Sequence, residues 1–299
     1  MPQERKPHRR DRYDAWYIPG LDPMHVVMPY MLPQRTDNEA VLTETFDLTA
    51  LNRYLEKKNA ENTDGFKYTF FHVIVAAINK TIQLRPKMNW FISGRRYYER
   101  KKISNAFVVK RELNDRAEEA LAIIEFDPTS EQSAVEQIHN KVRDFVHTVR
   151  VDNVQDGATD FMSILEKLPR PILGLVAFVL NRLEYHGHFP KSLAAVNPYH
   201  ATVFLSNLGS IKMNANYHHL ANFGNNSFFV CIGEKKKIPY YNEDGSYELR
   251  EALDMSFTID ERIADGTYFA KSLRYIRKFL AEPELLERPS TDLMEDLEV

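Results

Sequence analysis

The sequence predicts an α+β fold on a mixed, largely antiparallel sheet. Strand-like runs come in hairpins, Asn89 to Arg100 around Ser93-Gly94 and Tyr240 to Ile259 around Asp244-Gly245, where small turn residues accept the positive φ of a tight connection. Helical stretches interrupt the strands irregularly, unlike the one-for-one alternation of a doubly wound sheet. Nor is there a glycine-rich phosphate loop, a serine nucleophile elbow or an internal repeat.

Composition narrows the function classes. The 299 residues are 43% hydrophobic and 27% charged, enough for one large domain or two smaller ones. A formal net charge of -3 supplies no field for nucleic acid or an anionic membrane. Cys231 is the single cysteine, which excludes an intrachain disulfide framework and a thiolate metal cluster, and a reducing, cytoplasmic location is expected. The N-terminus lacks signal-peptide order. The longest apolar run, Pro171 to Leu180, falls well short of the roughly 20 residues of a membrane span, so a buried helix and no span are expected.

In chain order, Met1 to Arg12 is basic and reads as a solvated arm, and the aromatic, proline-rich residues 13–40 as an extended segment across the domain. Val41 to Leu48 alternates as a strand. Asp47 or Thr49 caps a helix over Ala50 to Lys58. Phe70 to Leu84 is apolar nearly all round, as a buried helix is, and Pro86 ends it. Ile103 to Lys110 and Ala120 to Phe126 read as strands. Pro128 to Val149 reads as a helix, capped at Thr129 or Ser130, with Val135, Ile138, Val142, Phe145 and Val146 inward and Glu136, His139, Lys141, Arg143 and Asp144 in solvent. Asp152 to Asp160 is a polar connector, and Phe161 to Tyr185 a helix broken at Pro169 and Pro171. His186, His188 and His200 have no acidic or thiol partner at ligand spacing, so no metal site is expected. Ala201 to Leu205 is a strand entering Ser206-Asn207-Leu208-Gly209. Tyr217-His218-His219-Leu220, the strand Ser227 to Gly233 and a solvated Lys235 to Lys237 follow. Leu253 to Ile259 leads into the charged turn Asp260 to Gly266 and the helix Phe269 to Leu280. The acidic end beyond Pro289 reads as mobile.

Three stretches in this order, ATVFLSNLG (201–209), VCIG (230–233) and SFTIDERIADGTYFAKSLRYIRKFLAEPELL, resemble the catalytic domain of the 2-oxo acid dehydrogenase acyltransferases, the dihydrolipoamide acyltransferases, whose fold is shared with chloramphenicol acetyltransferase. The earlier TETFDLTALNRYLEK and TFFHVIVAAINKTIQLRPKMNWFISGRRYYERKKISNAFVVK look like the family's strand, buried helix and hairpin. The resemblance covers residues 26–288, leaving 1–25 as an arm and 289–299 as a tail. It implies a chloramphenicol-acetyltransferase-like two-layer sandwich, CoA or acyl-CoA as cosubstrate, an acyl thioester substrate, and a homotrimer with its active site between subunits. Residues 1–25 leave no room for a lipoyl domain and its linker, so no lipoyl group is expected on this chain. The end LMEDLEV lacks the apolar residues that join family trimers into cages, so a free trimer is expected.

In the family the final turn reads Asp-His-Arg-x-x-Asp-Gly. Its histidine removes a thiol proton, and a serine after the preceding strand stabilises the oxyanion. Ser206 matches the serine, and Arg262, Asp265 and Gly266 match the turn, but Glu261 stands in the histidine's place. A carboxylate near its ordinary pKa of about 4.3 is mismatched to a thiol by about four pH units, or roughly 6 kcal/mol. Burial beside Asp265 would narrow the gap. Three readings stay open: an inactive relative that keeps the fold, an acyltransferase whose base is His218 or His219, and a reaction of Glu261 on a substrate other than a thiol. The alternative of a different class is a non-catalytic trimeric scaffold.

Overall fold

The computed structural model describes residues 5–110, 119–150, 163 and 165–298. The expected connector Asp152 to Asp160 and the start of the helix at Phe161 lie outside them. The two-layer α+β sandwich is as the sequence predicts. Its main layer is a seven-stranded mixed sheet, ordered β2 (Glu39–Asp47), β10 (Tyr247–Asp260), β8 (Phe228–Ile232), β7 (Val203–Asn207), β5 (Ile103–Lys110) and β6 (Glu119–Phe126). β9 (Lys236–Tyr241) pairs with the first half of β10 across the expected Asp244-Gly245 turn, where Gly245 takes φ +81°. Among the described residues only β5–β7 and β7–β8 run parallel. Helices α2 (Thr49–Glu61), α3 (Phe70–Leu84), α4 (Ala134–Arg150) and α7 (Gly266–Ala281) form the second layer on one face. A smaller sheet of β1 (Ala15–Tyr17), β4 (Arg96–Arg100) and β3 (Trp90–Ser93) packs Ala15, Phe91 and Tyr98 together.

α3 is the axis of the helical layer, between α4 and α7. Every residue from His72 to Ile82 is buried, as its apolar circumference predicts. That includes Lys80, 1% exposed, whose ammonium burial pushes down to about 8. A buried ammonium needs acceptors, and the carbonyls of Ser290 (3.0 Å) and Asp292 (2.5 Å) supply them. The end of the chain is therefore not a loose tail. Ser290 and Met294 are buried, because the tail's backbone completes the polar partnering of α3.

Other expectations are corrected by what the residues touch. α4 starts at Ala134, with the Ser133 hydroxyl accepting from the Glu136 N–H, so Thr129 and Ser130 are not its caps. His139 does not face solvent. It is fully buried, stacked on Tyr68 at 3.7 Å between ring centres, with Nε2 2.8 Å from the Asp64 carboxylate. Lys236 is in β9 and pairs with Asp254. Residues 13–40 are not extended throughout: Asp22 caps a helix, α1 (Pro23–Met31), and Pro23 opens it at a position where the missing N–H costs nothing. α5 (Arg170–Tyr185) is not a buried helix: Ile172, Leu175, Phe178 and Val179 lie exposed, and Glu184 alone is buried. Apolar composition only demands a partner, and among the described residues α5 is anchored at its C-terminal end, through Glu184. A short helix, α6 (Lys191–Val196), follows it.

That anchor involves Arg12, which the basic arm hides at the sequence level. Arg12 is 5% exposed and lies over the rings of Phe91 and Tyr98. It donates to Ser93 Oγ (3.0 Å) and Glu184 Oε1 (2.9 Å), while Asp14 takes its Nε (2.8 Å). Glu184 Oε2 meets His200 Nε2 at 3.0 Å. Burial by itself would raise the Glu184 carboxyl, but His200 and Arg12 outweigh it and hold the group at about 2. With the folded carboxyl below its ordinary 4.5, the pair's stabilisation is complete above pH 4.5 and is lost as pH falls toward 2. Glu184→Gln should therefore be less stable than the parent at pH 7 in urea denaturation, and the difference should shrink as pH falls from 4.5 toward 2. A constant difference across that window would contradict the assignment.

Candidate functional site

The turn after β10 is locked from within. Asp260 is fully buried and accepts from Arg262 Nε and Nη2, both at 2.7 Å. Arg262, 2% exposed, also donates to the carbonyls of Leu32 (2.8 Å) and Pro33 (3.2 Å). Arg35 Nε lies 3.7 Å from Asp260 Oδ2, and burial pushes its guanidinium below the ordinary value. The rest of Arg35 reaches the carbonyls of Ala221 and Gly224. Asp260 and Arg262, both matched by the resemblance, are thus the frame of the turn.

Glu261 and Asp265 occupy different settings. Asp265 is exposed, and its carboxylate accepts the Tyr268 N–H at 2.8 Å as the N-cap of α7. Glu261 is exposed too. Its backbone N–H donates to the Asn38 carbonyl (2.9 Å), and its carboxylate makes no bond among the described residues. The two carboxylates are not buried side by side, so the arrangement that would turn Glu261 into a stronger base is not formed. The physical reason is local: β10 ends at Asp260, Glu261 opens the short 3-10 turn that follows with its side chain exposed, and the helix terminus claims Asp265.

Sheet register separates Ser206 from this turn. Ser206 pairs with Cys231 of β8, and Cys231 pairs with Ser256 of β10. Glu261 lies five residues further along and two strands over, about 19 Å away at ordinary strand spacings. Within one chain Ser206 and Glu261 do not meet.

The segment 212–226 bridges the interval. It roofs the sheet face opposite the helices, where Leu220 packs on Phe229 and Cys231. His218 stacks flat on Phe229 at 3.8 Å, and His219 stacks on His218 at 4.9 Å. Phe229 pairs with Phe204, and strand alternation puts Ser206 on the same face as Phe204. Ser206 and Phe229 are therefore about 8 Å apart along the sheet. His218 Nδ1 lies 2.8 Å from the His219 carbonyl and His219 Nδ1 2.7 Å from the Leu220 carbonyl. A carbonyl only accepts, so Nδ1 of each ring carries a proton, and in the neutral ring the lone pair is on Nε2.

Glu39 ties the roof to the turn, and sequence reasoning missed it. Its carboxylate accepts from the Tyr217 hydroxyl and from the Leu220 N–H (2.5 Å), one on each side of the histidine pair. Its backbone pairs with Asp260. Only the β2–β10 register reveals this role. Beside the turn, a cavity of about 300 Å³ is lined by Arg35, Arg262 and, from α5, Glu184 and Tyr185. Asp260→Ala would leave two buried guanidinium groups without their carboxylate. Loss of one partner of such a pair costs about 3–5 kcal/mol, so urea denaturation should show a destabilisation of that order, and a change under about 1 kcal/mol would remove this pair as the frame of the turn.

Residues 191–287 match the family model of the 2-oxoacid dehydrogenases acyltransferase (catalytic domain). The comparison with curated proteins gives no match by sequence. Among solved structures, a probable dihydrolipoamide acetyltransferase from Listeria monocytogenes 4b F2365 is 15% identical, with 92% of this chain and 98% of that chain covered at a TM-score of 0.56. The dihydrolipoamide acetyltransferase of Azotobacter vinelandii is 15% identical over 89% and 93% at 0.58. A chloramphenicol acetyltransferase is 11% identical over 89% and 99% at 0.50. The C-terminal third of the chain thus carries the 2-oxoacid dehydrogenase acyltransferase catalytic-domain pattern, on a fold that the protein shares with dihydrolipoamide acetyltransferase and chloramphenicol acetyltransferase.

Proposed function

We propose that the protein is an acyltransferase that moves an acyl group between a thioester such as acyl-CoA and an acceptor, with a histidine of the roof in place of the turn's missing one. The observation that carries this reading is the state of His218 and His219. Both donate from Nδ1 and so leave Nε2 as the nitrogen that bears the lone pair in the neutral ring, on the sheet face that bears Ser206, and both are framed by Glu39. In this reading Nε2 of His218 or His219 takes the proton of the attacking thiol, hydroxyl or amine. The nucleophile adds to the thioester carbonyl, and the Ser206 hydroxyl donates to the oxyanion. Collapse breaks the C–S bond, and the imidazolium returns its proton to the departing thiolate. Glu261, exposed and unpaired, takes no part.

The working unit is a homotrimer in this reading. α1 exposes Met24, Val26, Tyr30 and Met31, and α5 exposes Ile172, Leu175, Phe178 and Val179. Apolar surface on this scale is covered in solution by a partner, and three copies give the closed symmetry that the resemblance implies. Neighbouring copies would then complete the channel over Ser206.

Thiol release from acetyl-CoA, assayed with a panel of acceptors, tests the assignment. Ser206→Ala should lower kcat by about 10²- to 10³-fold, as loss of an oxyanion donor does. His218→Ala or His219→Ala should fall at least as far by loss of the base, and Glu261→Gln should keep the parent's rate. Glu261→Gln as the only inactive variant would return the base to the turn. Absence of thiol release from every thioester, in a particle of about three times 34.9 kDa by light scattering, would favour the scaffold. A monomer would remove the trimer.

A further inference from the structure

A second cavity, of about 450 Å³, lies between α6 and the strands β5 and β6. It falls within the roughly 300–1,000 Å³ of small-molecule sites. Ser104, Ile123 and Glu125 make its floor, and α6 contributes Lys191, Ala194 and Ala195. Ser104 pairs with Glu125, and Ala106, two residues on, lies beside Phe204, so the floor is on the face of the sheet that bears Ser206. Ser206 itself is about 14 Å away at ordinary strand spacings. Neither it nor the histidine pair lines the cavity.

The wall carries a surplus of positive charge. Two carboxylates line it, and both are taken: Asp14 by Arg12 (2.8 Å) and Glu125 by Lys102 (2.7 Å). Arg100, Lys101 and Lys191 line it too, and among the described residues none of the three has a carboxylate within ion-pair distance. The Lys101 ammonium holds the carbonyls of Arg12 (2.9 Å) and Tyr13 (3.2 Å), which leaves it one N–H. Lys191 lies over the Tyr13 ring at 5.2 Å and has no hydrogen-bond partner among the described residues. Both lysines are exposed. Arg100 is buried, and its fork is engaged by the Asn89 carbonyl (3.3 Å) and the Asn225 side chain (2.8 Å). Its Nε is shut away from the cavity, so Arg100 gives the wall charge and no free donor. Burial pushes it down to about 9. The chain as a whole is at -3, so the surplus is local.

We infer that this cavity binds a compact phosphate monoester, its phosphate held by the ammonium groups of Lys191 and Lys101 and its apolar body set against Ile123 and Ala194. A lysine is a point charge that meets a tetrahedral dianion from any side. The planar fork that suits a carboxylate belongs to Arg100 and is already engaged. A dianion also supplies the counter-charge that Arg100 lacks, across a partly buried gap where salt screens little. A neutral ligand of the same shape leaves the surplus uncompensated. The site shares no residue with the one proposed for acyl transfer and does not depend on that reading.

The test is isothermal titration calorimetry of the full-length protein with phenyl phosphate, benzoate and benzyl alcohol. It is run in low salt at about pH 8, above the second phosphate pKa of about 6, so that the probe is a dianion. Phenyl phosphate should bind saturably, and benzoate and benzyl alcohol each at least about tenfold more weakly. Lys191→Met removes a charge on which no described residue relies, and should weaken phenyl phosphate about tenfold, the scale of one charge-assisted hydrogen bond. Glu125→Gln removes an opposing carboxylate and frees Lys102, and should tighten phenyl phosphate about threefold, a gain that damage to the fold does not produce. Three outcomes would overturn the site: no saturable binding of phenyl phosphate, benzyl alcohol bound as tightly, or an affinity unchanged in Lys191→Met.

Discussion

A buried carboxylate held between two arginines is the constraint on which the candidate site depends. Asp260 ends the longest strand of the sheet, and Arg262, two residues on, folds back to bind it. Because both groups are shut away from water, neither is stable without the other. The remaining donors of Arg262 then capture the carbonyls of Leu32 and Pro33, and Arg35 captures those of Ala221 and Gly224. One ion cluster thereby fixes the turn, the segment after α1 and the far end of the roof. The roof's near end is held by Glu39, which is paired to Asp260 through the backbone. The histidine pair sits between Glu39's own two contacts, the Tyr217 hydroxyl and the Leu220 N–H.

The same rule, that a buried charge recruits distant backbone, organises the rest of the chain. Lys80 draws in the C-terminal segment, and Arg12 draws the N-terminal segment onto β3 and the end of α5. Arg100, buried and pushed down to about 9 by its desolvation, binds the carbonyl and side chain of Asn225 at the end of the roof. Each tie joins segments remote in sequence to a rigid strand or helix. The segments around Arg12 and Ser290 are held by polar satisfaction more than by apolar packing, which is why their composition misleads.

What was legible in the sequence follows from this division. α3 reads correctly because burial on all sides leaves a mark on every residue of the helix, and the β3–β4 hairpin reads correctly because Gly94 must take positive φ. The strand before Ser206 and the turn at Asp260 were found because local order and spacing survive in them. Arg12, Glu39, Arg35 and His139 were not, since nothing near them in sequence names their partners: Glu184, Leu220, Asp260 and Asp64 lie far along the chain. α5 was misread for the opposite reason. Its composition was plain, but composition reports a need for cover, not where the cover comes from.

The glutamate at position 261 is best understood through its neighbour. The strand ends on the residue that carries the frame, Asp260, which is buried, and the next residue opens a 3-10 turn with its side chain exposed. The fold therefore asks much of position 260 and almost nothing of position 261, where the backbone N–H alone is engaged. Exchange of the side chain at 261 leaves the ion cluster, the roof and the cap of α7 intact. A base lost there would not be a loss of the scaffold that presents Ser206, and the roof histidine proposed as base would be held by the same two anchors. Fold and chemistry separate at this residue because the strand ends at Asp260 and Glu261 begins the turn beyond it.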